Sequence, residues 1–229
     1  MNKLEDNFWS FFNDVRGHKD IGELREIVIS LIFLKHANDK NVSNQFSEIS
    51  IPSNADWSYL VNNLESGNFL NLLSKAFLSL EDENEKIKDT FSTFNFINKF
   101  NKDFDLQLVK NLFIKISEFG LLEGDVSFSN FIGILLSKFS DYEGRNLTSF
   151  ITPDSVSKLM VQLLDSKDGS ILDSSCGTGG FFQKIEDKYP QQKFQFYGQE
   201  ISSSVLTIVK LRFAFSHKNS FQFGQPKST

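Results

Sequence analysis

The chain has 229 residues, 40% apolar and 23% charged, enough for one large domain or two small ones with ordinary cores. A formal charge of −5 excludes a free-standing basic DNA binder, and a single cysteine excludes an internal disulfide. No apolar run approaches the ~18 residues of a membrane span, and Met1-Asn2-Lys3-Leu4-Glu5-Asp6 lacks the apolar core of a signal peptide, so a cytoplasmic chain is expected. His18, His36 and His217 have no cysteine or carboxylate partners at ligand spacing, and no metal site is expected. The 26 phenylalanines read as core packing.

From Leu4 to Tyr142 apolar residues recur at helical spacing, as in Leu24, Ile27, Val28, Leu31 and Ile32, and again in Leu106, Val109, Leu112, Phe113 and Ile116. This half is predicted to be nearly all helix. Breaks are expected at Ile51-Pro52-Ser53, at the acidic cluster Leu80 to Asn84, read as a solvated loop, and at Gly120 to Asp125. Asp141 to Thr148 reads as a joint, dividing a helical domain, residues 1–145, from an α/β domain, residues 146–229. Charge divides with it: 15 basic against 22 acidic residues up to Arg145, and 9 against 7 after it.

Thr152-Pro153 suits a helix start, with the Thr hydroxyl as cap and Pro in the first turn. Val156, Leu159, Met160, Leu163 and Leu164 then form one apolar stripe. Ser170 to Asp173 reads as a short buried strand, and Phe181 to Tyr189 as a helix closed by Pro190. Gly177, Gly179 and Gly180 therefore fill a strand-to-helix turn, where glycine permits positive φ and close approach of a ligand to free amides. Lys193 to Gln199 alternates as a second strand ending at Glu200, 20 residues after Gly180, a spacing that suits a carboxylate accepting from both hydroxyls of a ribose. Ser202 to Ser216 reads as a helix and Ser220 to Gly224 as a third strand. Cys176 reads as a small packing residue, since no histidine lies nearby to activate it. A dinucleotide fingerprint would need glycine at the position of Phe182.

Three segments in this order, Phe150-Ile151-Thr152-Pro153, Asp173 with Cys176 to Phe181, and Tyr197-Gly198 with Glu200, resemble the motifs of the modification subunits (HsdM) of type I restriction-modification systems, adenine-specific DNA methyltransferases. Phe8-Trp9 with Asp14 to Gly17, Ile29 to His36, and Ile132 to Ser140 are similar to other parts of these subunits. The resemblance implies an α + α/β fold: a helical amino-terminal domain followed by the first half of a doubly wound, Rossmann-like methyltransferase domain. It implies S-adenosylmethionine as cofactor, held by Phe150, Ile151, Thr152, Pro153, Asp173, Cys176, Gly177, Thr178, Gly179, Gly180 and Glu200, with Phe150 to Pro153 lining the methionine side. It also implies partners: a specificity subunit that reads DNA, a restriction subunit and a second modification subunit. Residues 1–145 would make subunit contacts and help close around DNA.

The sequence departs from the family at the catalytic motif. Asn-Pro-Pro-aromatic, which holds a flipped adenine and stacks on it, is absent: the prolines are Pro52, Pro153, Pro190 and Pro226, no two adjacent. No catalytic residue is assigned, and a chain ending at Thr229 is expected to be inactive alone. The alternative is a non-catalytic assembly or cofactor-binding module. Ser174 replaces the usual proline, Ser149 a polar or acidic residue, and Gln225 stands where Gly-Asp often lies near adenine. In the family's strand order the first strand would be left with an unpaired edge.

Overall fold

A computed structural model describes residues 21–42, 49–94, 103–118, 127–143, 151–165 and 168–226. Contacts divide the chain into two units, Met1–Gly124 and Asp125–Thr229. The first is helical, as the 3.6-residue apolar period requires. Its helices are α1 (Ile21–Val42), α2 (Trp57–Asn62), α3 (Phe69–Asp82), α4 (Phe91–Phe94) and α5 (Asp103–Ser117). Leu24, Ile27, Val28, Ile29, Phe33 and Leu34 are all fully buried, so α1 is enclosed on every side rather than along one stripe. Trp57 stacks on Phe113 at 4.0 Å between ring centroids, joining α2 to α5.

The acidic cluster corrects the expected solvated loop, because α3 runs on through Asp82 and Glu81 is buried. The Glu81 carboxylate accepts from Asp89 N at 3.1 Å, Ser92 N at 2.9 Å, Ser92 Oγ at 2.7 Å and Phe91 N. It thereby satisfies amides at the start of α4 that have no partner within the helix. A charge whose hydrogen-bonding capacity is filled from one loop can be buried; an acidic run in sequence does not reveal that loop.

The second unit contains α6 (Phe128–Glu143), α7 (Asp154–Leu164), β1 (Gly169–Asp173), α8 (Gly180–Lys188), β2 (Phe194–Gln199), α9 (Ser203–Phe213) and β3 (Ser220–Gly224). Strand and helix alternate, and the three strands form a parallel sheet in the order β1-β2-β3. Gly169 pairs with Phe194 and Asp173 with Gly198; Gln195 pairs with Ser220 and Gln199 with Gly224. Ile171, Phe194 and Phe196 point to one face, where Phe182, Ile185, Val209 and Phe213 from α8 and α9 close the core. The fully buried Phe182 has the rings of Phe196, Phe213, Phe221 and Phe223 at centroid distances of 5.0 to 6.5 Å. Side chains on the opposite face stay open: Leu172 is 65% exposed, and Gln195 and Gln222 are exposed. Among the described residues β1 pairs on one edge only.

The structure revises the expected cap of α7. Pro153 occupies the cap position, its carbonyl accepting from Val156 N and Ser157 N at 3.0 Å, and Thr152 does not cap. The apolar stripe is exposed among the described residues: Ser157 and Val161 are buried, whereas Val156, Leu159, Met160 and Leu164 are exposed and Leu163 is 76% exposed. The helix turns its narrower side to α8, where Lys188 Nζ donates to the Val161 carbonyl at 3.1 Å. Among the described residues no helix is long and apolar enough to cross a membrane. Phe182→Ala should lower the unfolding free energy by about 3–5 kcal/mol, as for other buried aromatic truncations; urea denaturation compared with the parent chain would measure it.

Candidate functional site

The strand-turn-helix unit β1-α8 meets the tip of β2, and the turn between Asp173 and Gly180 is fixed by hydrogen bonds from several sides. Asp173 ends β1, and its Oδ1 accepts from Ser175 N at 3.0 Å, starting the turn as a short polar loop. Cys176 N donates to the Gln199 carbonyl at 2.9 Å, so the turn extends the pairing of β1 with β2. Gly177 lies at φ 52° and donates its N–H to Glu200 Oε2 at 3.1 Å. The other oxygen, Oε1, accepts from Ser202 N at 2.8 Å, while Glu200 N donates to the Gly224 carbonyl at 3.1 Å. Glu200 is thus buried where the ends of β2 and β3 and the glycine turn converge.

Gly179 caps α8 at φ 79°. A Cβ there would lie 2.4 Å from the Phe213 ring and 2.9 Å from Val209 Cγ2, so both backbone conformation and packing demand glycine. At Gly180 the same atom would meet nothing within 4 Å, leaving room for a ligand against the backbone. No side chain caps α8, so its first amides are donors available to an anion. Gly198 is needed for another reason: a Cβ would lie 2.9 Å from Cys176 Sγ and 2.7 Å from the Phe223 ring. Burial first, then the charges of Asp173 and Glu200, pushes the Cys176 thiol up to about 12. It is a packing atom, not a nucleophile.

Arg212 supports the turn through Thr178. Its Nη1 donates to the Thr178 carbonyl at 2.6 Å and its Nε to the Ser129 carbonyl at 3.0 Å. Burial pushes its pKa down to about 10, with Glu186 and then Asp187 opposing, so it stays charged at neutral pH. Gly133 on α6 makes space for it, since a Cβ would approach Nη2 to 2.7 Å. In sequence Arg212 is one of two basic residues, with Lys210, in a mostly apolar stretch, and nothing local marks which of them is buried.

Of the residues assigned from sequence, Asp173, Cys176, Gly177, Thr178, Gly179, Gly180 and Glu200 come together. Ile151, Thr152 and Pro153 lie at the entrance to α7, which Asp154 ties to Lys184 of α8 at 2.6 Å. Hydrogen bonds from Lys158 and then Lys184 hold the Asp154 carboxyl below the ordinary aspartate range. Phe150 lies outside the described residues, as do Phe8 to Gly17. Ile201, which no motif marks, follows Glu200, is 78% exposed, and its carbonyl accepts from Gln225 Nε2 at 3.1 Å. A cleft of about 470 Å³ lies along β1, β2 and β3 beside this turn, lined by Leu172, Tyr197, Gln199, Gln222, Phe223 and Gln225; Asp173, Gly177 to Gly180 and Glu200 do not line it. Free amides, left-handed glycines and a carboxylate with lone pairs to spare suit a ligand carrying both an anionic group and hydroxyls.

Residues 4–116 match the HsdM N-terminal domain and residues 125–223 match the N-6 DNA Methylase family. The chain belongs to the family of type I restriction-modification methylase subunits. It is 26% identical over 251 aligned positions to the type I restriction enzyme MjaIX methylase subunit of Methanocaldococcus jannaschii, covering 91% of this chain and 44% of that relative. It is 28% identical over 104 positions to the HindI methylase subunit of Haemophilus influenzae, covering 40% of this chain and 24% of that one. The chain therefore spans less than half the length of these curated relatives. Its fold matches the type I restriction-modification system methyltransferase subunit of Streptococcus thermophilus with a TM-score of 0.75 at 16% identity, over 98% of this chain and 58% of that one. Membership in this family implies a methyl donor.

Gly179→Ala should destabilise the subunit by about 2–5 kcal/mol, combining a left-handed alanine with overpacking against Phe213; thermal and urea unfolding would report it. Cys176 should resist iodoacetamide at pH 8 in the folded chain and react on unfolding, read by intact mass. Because its folded pKa is raised, the unfolded thiol ionises first as pH climbs above about 9. Stability contributed by the buried thiol is therefore full below that pH and lost towards pH 12.

Proposed function

We propose that residues 146–229 form the methyl-donor half of an adenine-specific DNA methyltransferase subunit and bind S-adenosylmethionine at the turn from Asp173 to Gly180. The observation that supports this most is the Gly177 to Glu200 hydrogen bond, which sets a strand-tip carboxylate beside uncapped helix amides. The first-turn amides of α8 would receive the methionine carboxylate. Glu200, already oriented by Gly177 and Ser202, has lone pairs left on both oxygens for the ribose hydroxyls. Ile201 would offer its exposed side chain to the adenine ring, with Gln225 holding the adjoining backbone. Ile151, Thr152 and Pro153, with Phe150, would close the methionine side.

When bound, S-adenosylmethionine supplies a sulfonium methyl that an amine can attack directly. These residues bind and orient it, and exclude water from the buried side of the turn; that positioning is the catalytic contribution assigned to them. No residue among the 229 is assigned to hold adenine, because the sequence contains no Asn-Pro-Pro-aromatic motif. Residues 1–145 would serve assembly, with DNA reached through a complex of specificity, restriction and second modification subunits in the cytoplasm. An acidic amino-terminal part suits assembly better than direct capture of phosphates.

Calorimetry with S-adenosylmethionine on the 229-residue chain tests the reading. Saturable binding at or below millimolar ligand is expected, weakened at least about tenfold by Ile201→Asp at an unchanged melting temperature, a loss of the size expected for removing one apolar contact and adding a charge. No binding at millimolar ligand would remove the cofactor assignment.

A further inference from the structure

A buried guanidinium joins the glycine turn to a helix that does not line it. Arg212, in the last turn of α9, is buried, yet its side chain reaches two other elements. Nη1 donates to the Thr178 carbonyl at 2.6 Å, and Nε donates to the carbonyl of Ser129, in the first turn of α6, at 3.0 Å. Gly133, one turn further along α6, closes the remaining side: a Cβ there would come within 2.7 Å of Nη2 and 3.4 Å of Cζ. A planar fork held at two points moves as one body, so a displacement imposed on it from α6 is passed on to the Thr178 carbonyl.

Thr178 is where such a displacement would matter. It lies between Gly177 at φ 52° and Gly179 at φ 79°, and glycine accepts φ of either sign, so sterics alone do not fix the peptides on its two sides. The Gly179 amide donates to the Cys176 carbonyl at 2.9 Å while the Thr178 carbonyl accepts from Arg212, which holds the peptide between Thr178 and Gly179 at both ends. Without Arg212 that peptide would keep one of its two bonds and its carbonyl would be buried without this donor. The same peptide leads directly into the uncapped amides that open α8.

We infer that Arg212 is a positioning residue for the methyl donor, and that it makes the affinity for the donor depend on α6, whose first turn it ties to the Thr178 carbonyl of the glycine turn. This rests on the donor binding at Asp173 to Gly180 as proposed above. Arg212 acts through the Thr178 peptide rather than by contact with the donor. Lysine is no substitute, because an ammonium is a compact point donor on a flexible stem and lacks the rigid fork that spans two carbonyls. By reciprocity, a donor seated on the turn acts back through Arg212 on the start of α6.

Calorimetry with S-adenosylmethionine on the 229-residue chain and its Gly133→Ala variant tests this, with Ile134→Ala, at a 37% exposed position on the same helix, as control. Gly133→Ala introduces the better helix former and leaves the turn's own residues untouched. A chain shown by circular dichroism to be folded should nevertheless bind the donor about fivefold to tenfold more weakly, with shifted Gly177 and Gly179 amide resonances before ligand is added, and Ile134→Ala should do neither. Arg212→Lys should lose affinity and shift the same amides. In the parent chain, adding the donor should move the Arg212 Nε–H and Gly133 amide resonances. Equal donor affinity in the parent and a folded Gly133→Ala chain overturns the inference and leaves the cofactor site standing, as does an equal loss in Ile134→Ala. No binding to the parent chain removes the cofactor assignment and the inference together. Should both variants at Gly133 and Arg212 fail to fold, the parent resonances decide: donor shifts at Gly177 with none at Arg212 Nε–H overturn the inference.

Discussion

The hydrogen bond from Gly177 N–H to the buried Glu200 carboxylate is the contact on which the site depends. It reaches across the sheet tips, and the same carboxylate takes the Ser202 amide, so one side chain orders both the glycine turn and the start of α9. A buried carboxylate without such partners would be costly; with two backbone donors each bond contributes about 1.5–3 kcal/mol. Arg212 secures the next residue, Thr178, from the opposite end of α9. An anion on one peptide and a cation on the neighbouring carbonyl hold the turn in a conformation that its glycines permit but do not impose.

These polar contacts work only because the chain beneath them cannot shift. Phe182 at the start of α8, Phe196 on β2 and Phe213 on α9 interlock with Phe221 and Phe223 on β3. The aromatic layer covers one face of the sheet, and Gly179 lets the start of α8 lie against Phe213 and Val209 of α9. Packing therefore fixes the distance between the turn and Glu200, while hydrogen bonds fix the orientation. The other face and the outer edge of β1 show the reverse: Leu172, Ile201 and the stripe on α7 remain outside any core among the described residues.

Sequence by itself determined the order of helices and strands in the second unit, since each element announces itself within a few residues. Alternation in Phe194 to Gln199, glycine at Gly177 and Gly179, and Pro190 after α8 act through backbone sterics and local periodicity. It also marked the turn and the acid at Glu200, because a strand-turn-helix-strand unit fixes their separation along the chain. Tertiary structure decided what those groups do to one another. That Glu200 spends a hydrogen bond on each of two amides, that Arg212 holds Thr178, that Glu81 is buried and the α7 stripe exposed, all follow from contacts between segments distant in sequence. Their energies depend on burial and on partners supplied by another element, and neither is encoded in the spacing of the residues concerned.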